Sequence, residues 1–110
     1  MGQQFQTILS LFKSKPHLVV DAKTLSIKNH ALECEDSGDF QTAISFFTRY
    51  LDTDPQNSKT HFRKAICFRK LGSLVDCINC LNIVLSIDKS FCEAYLLKSQ
   101  ILFELNKLTD

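Results

Sequence analysis

Ser37-Gly38-Asp39-Phe40-Gln41-Thr42-Ala43-Ile44 is the stretch from which the whole chain can be read. Gly38 suits the left-handed backbone that closes a helix. Asp39 is a residue type that caps the next one. Ala43, Ile44, Phe47 and Leu51 then form an apolar stripe at helical spacing. The segment reads as a helix ending, a tight turn and a second helix beginning. The helices are expected over about Ala22 to Ser37 and Phe40 to Asp52.

This unit has a second copy. Gly38 and Gly72 lie 34 residues apart, and a shift of that length matches the chain to itself. Ala31 falls on Ala65 and then Ser99. Cys34 falls on Phe68 and Leu102, and Phe40 on Leu74 and Leu108. Ile44 meets Ile78, Phe47 meets Leu81, Leu51 meets Leu85 and Asp54 meets Asp88. Small residues stay on small ones and large apolar residues on large ones. Asp54-Pro55-Gln56-Asn57 breaks the chain between the units. The second unit predicts helices over Ser58 to Leu71 and Leu74 to Ile87, with Ser73 and Asp76 as a capping box. Ser90 and Glu93 repeat that cap for a fifth helix, Phe91 to Asn106. Strand-like alternation is absent, so the class is all-α.

The residue types at these spacings resemble the tetratricopeptide repeat family. The first copy of its pattern is Ile27, Ala31, Cys34, Ala43, Phe47 and Pro55. The second is His61, Ala65, Phe68, Cys77 and Leu81, with Lys89 in place of Pro. Tyr95, Ser99 and Leu102 begin a third, and the hallmark Trp is missing throughout. The resemblance implies a right-handed superhelical stack of antiparallel hairpins. Its repeats would span residues 24–57, 58–91 and a truncated 92–110, behind an N-terminal cap and linker over 1–21. Small residues are needed where helices cross, at Ala31, Ala65, Ser99, Ala43 and Cys77, because only they let two backbones approach.

Composition excludes several classes. The 110 residues are 45% hydrophobic and 23% charged, with net charge +1, which fits one globular domain and gives no global pull toward nucleic acid. Five Cys cannot all pair within the chain, and no secretory leader is evident, so reduced thiols and a cytoplasmic setting are expected. Cys77 to Ile87 is the longest largely apolar run and is too short to span a bilayer. Gln6 stands where a myristoylation signal needs Ser or Thr.

Catalytic patterns are missing. The three glycines are isolated, so no phosphate loop is formed. Glu33 with Glu35, and Asp52 with Asp54, sit at a spacing that splays side chains apart on a helix. The one CxxC, Cys77-Ile78-Asn79-Cys80, lies in mid-helix, where Cys77 takes a packing position. No metal, cofactor or disulfide is expected, and the chain is read as non-enzymatic.

Binding residues are expected on the first helix of each unit, which the resemblance places along a concave groove. The candidates are Lys28 and Leu32 from the first unit, Lys59, Phe62, Arg63, Ile66 and Arg69 from the second, and Leu96 and Phe103 from the third. Glu35 is also placed on this lining. Lys59, Arg63, Lys64, Arg69 and Lys70 make the middle helix one-signed, with Phe62 and Ile66 between the charges. An apolar strip with a basic rim suits an acidic or amphipathic peptide or helix. Members of the family that clamp chaperone C-terminal carboxylates use Lys, Asn, Asn, Lys and Arg where this chain has Lys28, Leu32, Arg63, Glu93 and Leu97. Only Lys28 agrees, so that specificity is not expected here.

The ends differ. Phe5, Ile8, Leu9, Leu11 and Phe12 form a stripe before Pro16 that suits a capping helix. Residues 95–108 are apolar nearly all round, which suits burial against another chain or subunit. The leading expectation is a scaffold or adaptor binding a peptide in its groove. The alternative is a structural piece of a larger helical-repeat assembly, or self-association, through that last helix.

Overall fold

The computed structural model describes residues 21–109; the expected N-terminal cap lies outside them. Among the described residues there are five helices and no strand: α1 (Ala22–Ser37), α2 (Phe40–Thr53), α3 (Ser58–Lys70), α4 (Leu74–Ile87) and α5 (Cys92–Thr109). Each packs on its neighbour in sequence. The boundaries follow local chemistry. Gly38 and Gly72 take φ values of 87° and 81°, the left-handed region where a side chain would be strained. Asp21 accepts from the Thr24 N–H at 2.8 Å, and Asn57 from the Thr60 N–H at 3.0 Å.

Two expected caps do not form. Ser73 precedes α4 but makes no side-chain capping bond. Its backbone angles nearly repeat those of Asp39, whose longer carboxylate reaches the Thr42 N–H at only 3.3 Å. A hydroxyl on that backbone falls short. The Ser90 hydroxyl is instead turned toward Asp88, to which it donates at 2.6 Å, and α5 starts at Cys92.

The core has two parts. Ala31, Ala43, Phe47 and Cys67 form one, and Ala65, Cys77, Leu81, Val84, Ala94 and Ile101 belong to the other. These positions show two packing faces on the first helices, both of them used by α3. One face packs on the preceding hairpin, through Thr60 and Cys67 in α3 and through Ala94 and Ile101 in α5, all buried. Their counterparts in α1 are Ser26 and Glu33, which are exposed and polar. The other face packs on the hairpin's own second helix, with Ala31 against the Ala43 cluster and Ala65 against the Cys77 cluster. In α5 this face carries Tyr95, Ser99 and Leu102. Ser99 was expected at a helix crossing, but it is exposed because no helix among the described residues covers it.

Candidate peptide-binding groove

The nine candidate groove residues fall into three groups. Lys59, Arg63, Leu96 and Phe103 are exposed, the last two to 62%. Lys28, Leu32, Ile66 and Arg69 are half-buried, Leu32 and Ile66 against the core. Phe62 is a correction: it is only 8% exposed and belongs to the core. The linker after α4 brings Phe91 onto it, ring edge toward ring face, with centroids 5.0 Å apart. It cannot serve as a ready anchor for a ligand.

The basic stripe is also changed by packing. Arg63 forms an ion pair with Glu35 of α1 at 2.9 Å. Arg69 pairs with Glu104 of α5 at 2.7 Å and also donates to Gln100 at 3.4 Å. The expectation of one-signed charge counted only the acids of α3 itself. Neighbouring helices supply the partners, so both arginines cross-link the stack. Glu35, also placed on the groove lining, has a side chain only 12% exposed. Beside this pair lies Cys67, whose thiol is pushed up to about 12, by burial first and then by the Glu35 charge, against the opposing pull of Arg63.

A cavity of about 470 Å³, open to solvent, lies where α1, α2 and α3 meet. Leu25, Tyr50, Asp54, Gln56, Asn57, Ser58 and Lys59 line it. Its floor is a closed polar network. The Tyr50 hydroxyl donates to Asp54 at 3.1 Å, and the Asn57 amide donates to the same carboxylate oxygen at 3.0 Å. Burial, then the Asp54 bond and charge, raise the Tyr50 phenol above its ordinary range despite the Asn57 amide. The Lys28 ammonium stands 5.2 Å from the Tyr50 ring centroid, a cation–π contact at the cavity's edge. Thus Lys59 and the exposed Leu25 line the cavity, and Lys28 stands over the Tyr50 ring that forms part of its wall.

The internal repeat explains why the cavity occurs here. One unit further along, Lys28 and Asn57 are replaced by Phe62 and Phe91, which pack against each other. The first junction has polar residues where the second has two aromatic rings. Sequence reading missed Tyr50, Asp54 and Asn57, taking the last two only as chain breakers. The Asp-x-x-Asn spacing was the available signal, since it lets one side chain cap α3 and also bind a carboxylate.

The CxxC offers no reactive thiol. Cys77 and Cys80 are buried in the second core, and burial raises both thiols, Cys77 to about 11.

A tetratricopeptide repeat model matches residues 36–101, well over half of the chain. A curated relative, the heat shock protein sti1 homolog of Schizosaccharomyces pombe, is 32% identical over 69 residues, covering 63% of this chain and 12% of that protein. The chain therefore spans only a small part of that relative. Among solved structures, the first TPR of Spaghetti (RPAP3) bound to HSP90 peptide SRMEEVD matches with TM-score 0.72 and 24% identity, over 82% of this chain and 72% of that one. The TPR2B domain of yeast Sti1 in a pHsp70 complex matches with TM-score 0.72 and 20% identity, over 79% and 70% of the two chains. These likenesses show the fold, a superhelical stack of hairpins.

Proposed function

Because the chain belongs to the tetratricopeptide repeat family, we propose that it is a non-enzymatic interaction module whose groove takes an extended acidic peptide at the junction of α1, α2 and α3. The observation that carries this reading is the open cavity there, with Lys59 on its wall, Lys28 at its edge and Leu25 exposed beside them. Two cations and one apolar residue suit a peptide with an acidic side chain next to an aliphatic one. Asp54 on the floor does not forbid this, because its carboxylate already accepts from Tyr50 and Asn57. Leu96 and Phe103 extend an apolar lining along α5. A scaffold or adaptor role follows from binding without chemistry. One solved neighbour named above, the first TPR of Spaghetti (RPAP3), is bound to an HSP90 peptide, which supports peptides as the ligand class. Five free thiols favour a reducing compartment such as the cytoplasm, and among the described residues no helix is long and apolar enough to cross a membrane.

Specificity is expected to differ from the chaperone clamp. Glu93 and Leu97 stand where that clamp has cations, and Arg63 is held by Glu35. Fluorescence anisotropy tests both points, using a labelled Glu-Leu repeat peptide and the SRMEEVD peptide. The Glu-Leu probe is expected to bind more tightly. Lys28→Glu with Lys59→Glu is expected to weaken it about tenfold or more, with the loss shrinking at high salt. Unchanged affinity in that double variant would remove the site, and tighter binding of SRMEEVD would restore the clamp reading.

A further inference from the structure

The face of α5 formed by Tyr95, Ser99 and Leu102 is the counterpart of the surfaces that α2 and α4 cover in the first two units. Here it lies open: Tyr95 is 50% exposed and Leu102 45%. What covers its counterparts is visible in the same chain. The covering helices each present a large residue, a small one three later and a large one four after that: Phe40, Ala43, Phe47 in α2 and Leu74, Cys77, Leu81 in α4. The surfaces they cover set a small residue between two flanking ones at the inverse spacing: His61, Ala65, Phe68 in α3, with large residues on both sides, and Ile27, Ala31, Cys34 in α1, with a large residue on one side only.

The helix α5 carries both patterns around one small residue. Tyr95, Ser99 and Leu102 form the covered pattern, and Leu96, Ser99 and Phe103 form the covering one. All four large members are exposed. None of the five positions is charged. A surface holding both halves of a complementary pattern is complementary to itself, the requirement for a two-fold contact.

We propose that α5 pairs antiparallel with α5 of a second copy, about a two-fold axis at Ser99. Tyr95 of each copy then meets Phe103 of the other, and Leu102 meets Leu96, on either side of the small residue, as Cys34 and Phe40 both pack on the cluster around Ala31 and Ala43 in the first hairpin. The two serines face each other where Ala31 and Ala43 do, allowing the backbones to approach. Lys107, whose ammonium lies 5.0 Å from the Phe103 ring centroid, is exposed and free to swing to the rim. A net charge of +1 opposes self-association little. One helix pair buries less than the about 1,600 Å² of a standard interface, so a dimer of micromolar affinity is expected. Such a dimer buries Leu96 and Phe103 and so closes the α5 part of the groove lining, leaving Lys28, Lys59 and Leu25 to a peptide.

Sedimentation equilibrium of the 110-residue chain under reducing conditions is expected to show a reversible dimer at concentrations of about 100 µM. Tyr95→Arg with Leu102→Arg is expected to leave a monomer whose thermal midpoint is at least that of the single wild-type chain, since both residues are exposed there. Ser99→Cys is expected to give a disulfide-linked dimer through the new thiol under mild oxidation. The native Cys92 sits seven residues from the axis, so two copies hold it about 21 Å apart at the helical rise, beyond the reach of a disulfide. A chain that stays monomeric overturns the proposal. A dimer that survives the double variant, or one that cross-links through Cys92, overturns it equally.

Discussion

At the scale of single residues, what decides is whether a side chain has room. Ala43 is fully buried against the Ala31 cluster. Ala43→Arg combines overpacking, about 1–3 kcal/mol, with an unpaired buried charge, about 3–5 kcal/mol. A small domain holds about 5–15 kcal/mol in all, so loss of the helical circular-dichroism signal at ambient temperature is expected. A midpoint within a few degrees of wild type would show that the helices do not cross there. Phe62→Ala removes a ring packed on Phe91 and is expected to cost about 3 kcal/mol of stability, near the low end for a core Phe because a little of it is exposed. Urea midpoints measure this. A loss of peptide affinity with no change in the urea midpoint would return Phe62 to the groove.

At the scale of elements, the helices were legible because a few residues fix them. Glycines with positive φ end α1 and open the turn before α4, Asp and Asn start helices, and small residues mark crossings. The expected α1 and α4 coincide with the observed ones, and α2 and α3 differ by one residue at one end. The groove was much less legible. Arg63 and Arg69 are held by partners 28 and 35 residues away, and Phe62 is covered by a linker residue. Such pairings depend on how units pack, and the pattern within one helix does not contain that. Asn57 shows an element built on a single side chain. Its carbonyl oxygen accepts from the Thr60 N–H at 3.0 Å and the Thr60 hydroxyl at 2.9 Å, while its amide binds Asp54. Asn57→Ala is expected to lower stability by about 1–2 kcal/mol, the upper range for a cap. Asn57→Asp separates the two roles, because it keeps the cap acceptors but sets a second carboxylate against buried Asp54. It is expected to destabilise as well, with a penalty that shrinks as pH falls and one carboxyl takes a proton. An Asp variant as stable as wild type at neutral pH would show that the Asp54 contact contributes little.

At the scale of the whole molecule, the stack is finished at one end of the described residues and open at the other. Exposed Ser26 and Glu33 on α1 take the places that bury Thr60 with Cys67, and Ala94 with Ile101, further along. Between the ends, buried thiols tie stability to alkaline pH. Cys67 joins α3 to the first hairpin and Cys77 lies in the second, so neither can ionise without charge entering a junction. Burial raises them from the ordinary 9.0 to about 12 and about 11. Below pH 9.0 both thiols are protonated whether the chain is folded or not, and their contribution is fully present. As pH rises, the unfolded chain releases these protons first, so unfolding gains and stability falls until the folded thiols titrate too. The phenol of Tyr50, also raised, acts in the same direction. Thermal midpoints are therefore expected to be insensitive to the thiols up to about pH 9 and to fall steadily above it. Cys67→Ala should start from a lower midpoint, because a buried sulfur is lost, yet decline less steeply with pH. An equal slope in that variant would take the alkaline loss away from the Cys67 thiol. The Cys77 thiol and the Tyr50 phenol would then remain as its source.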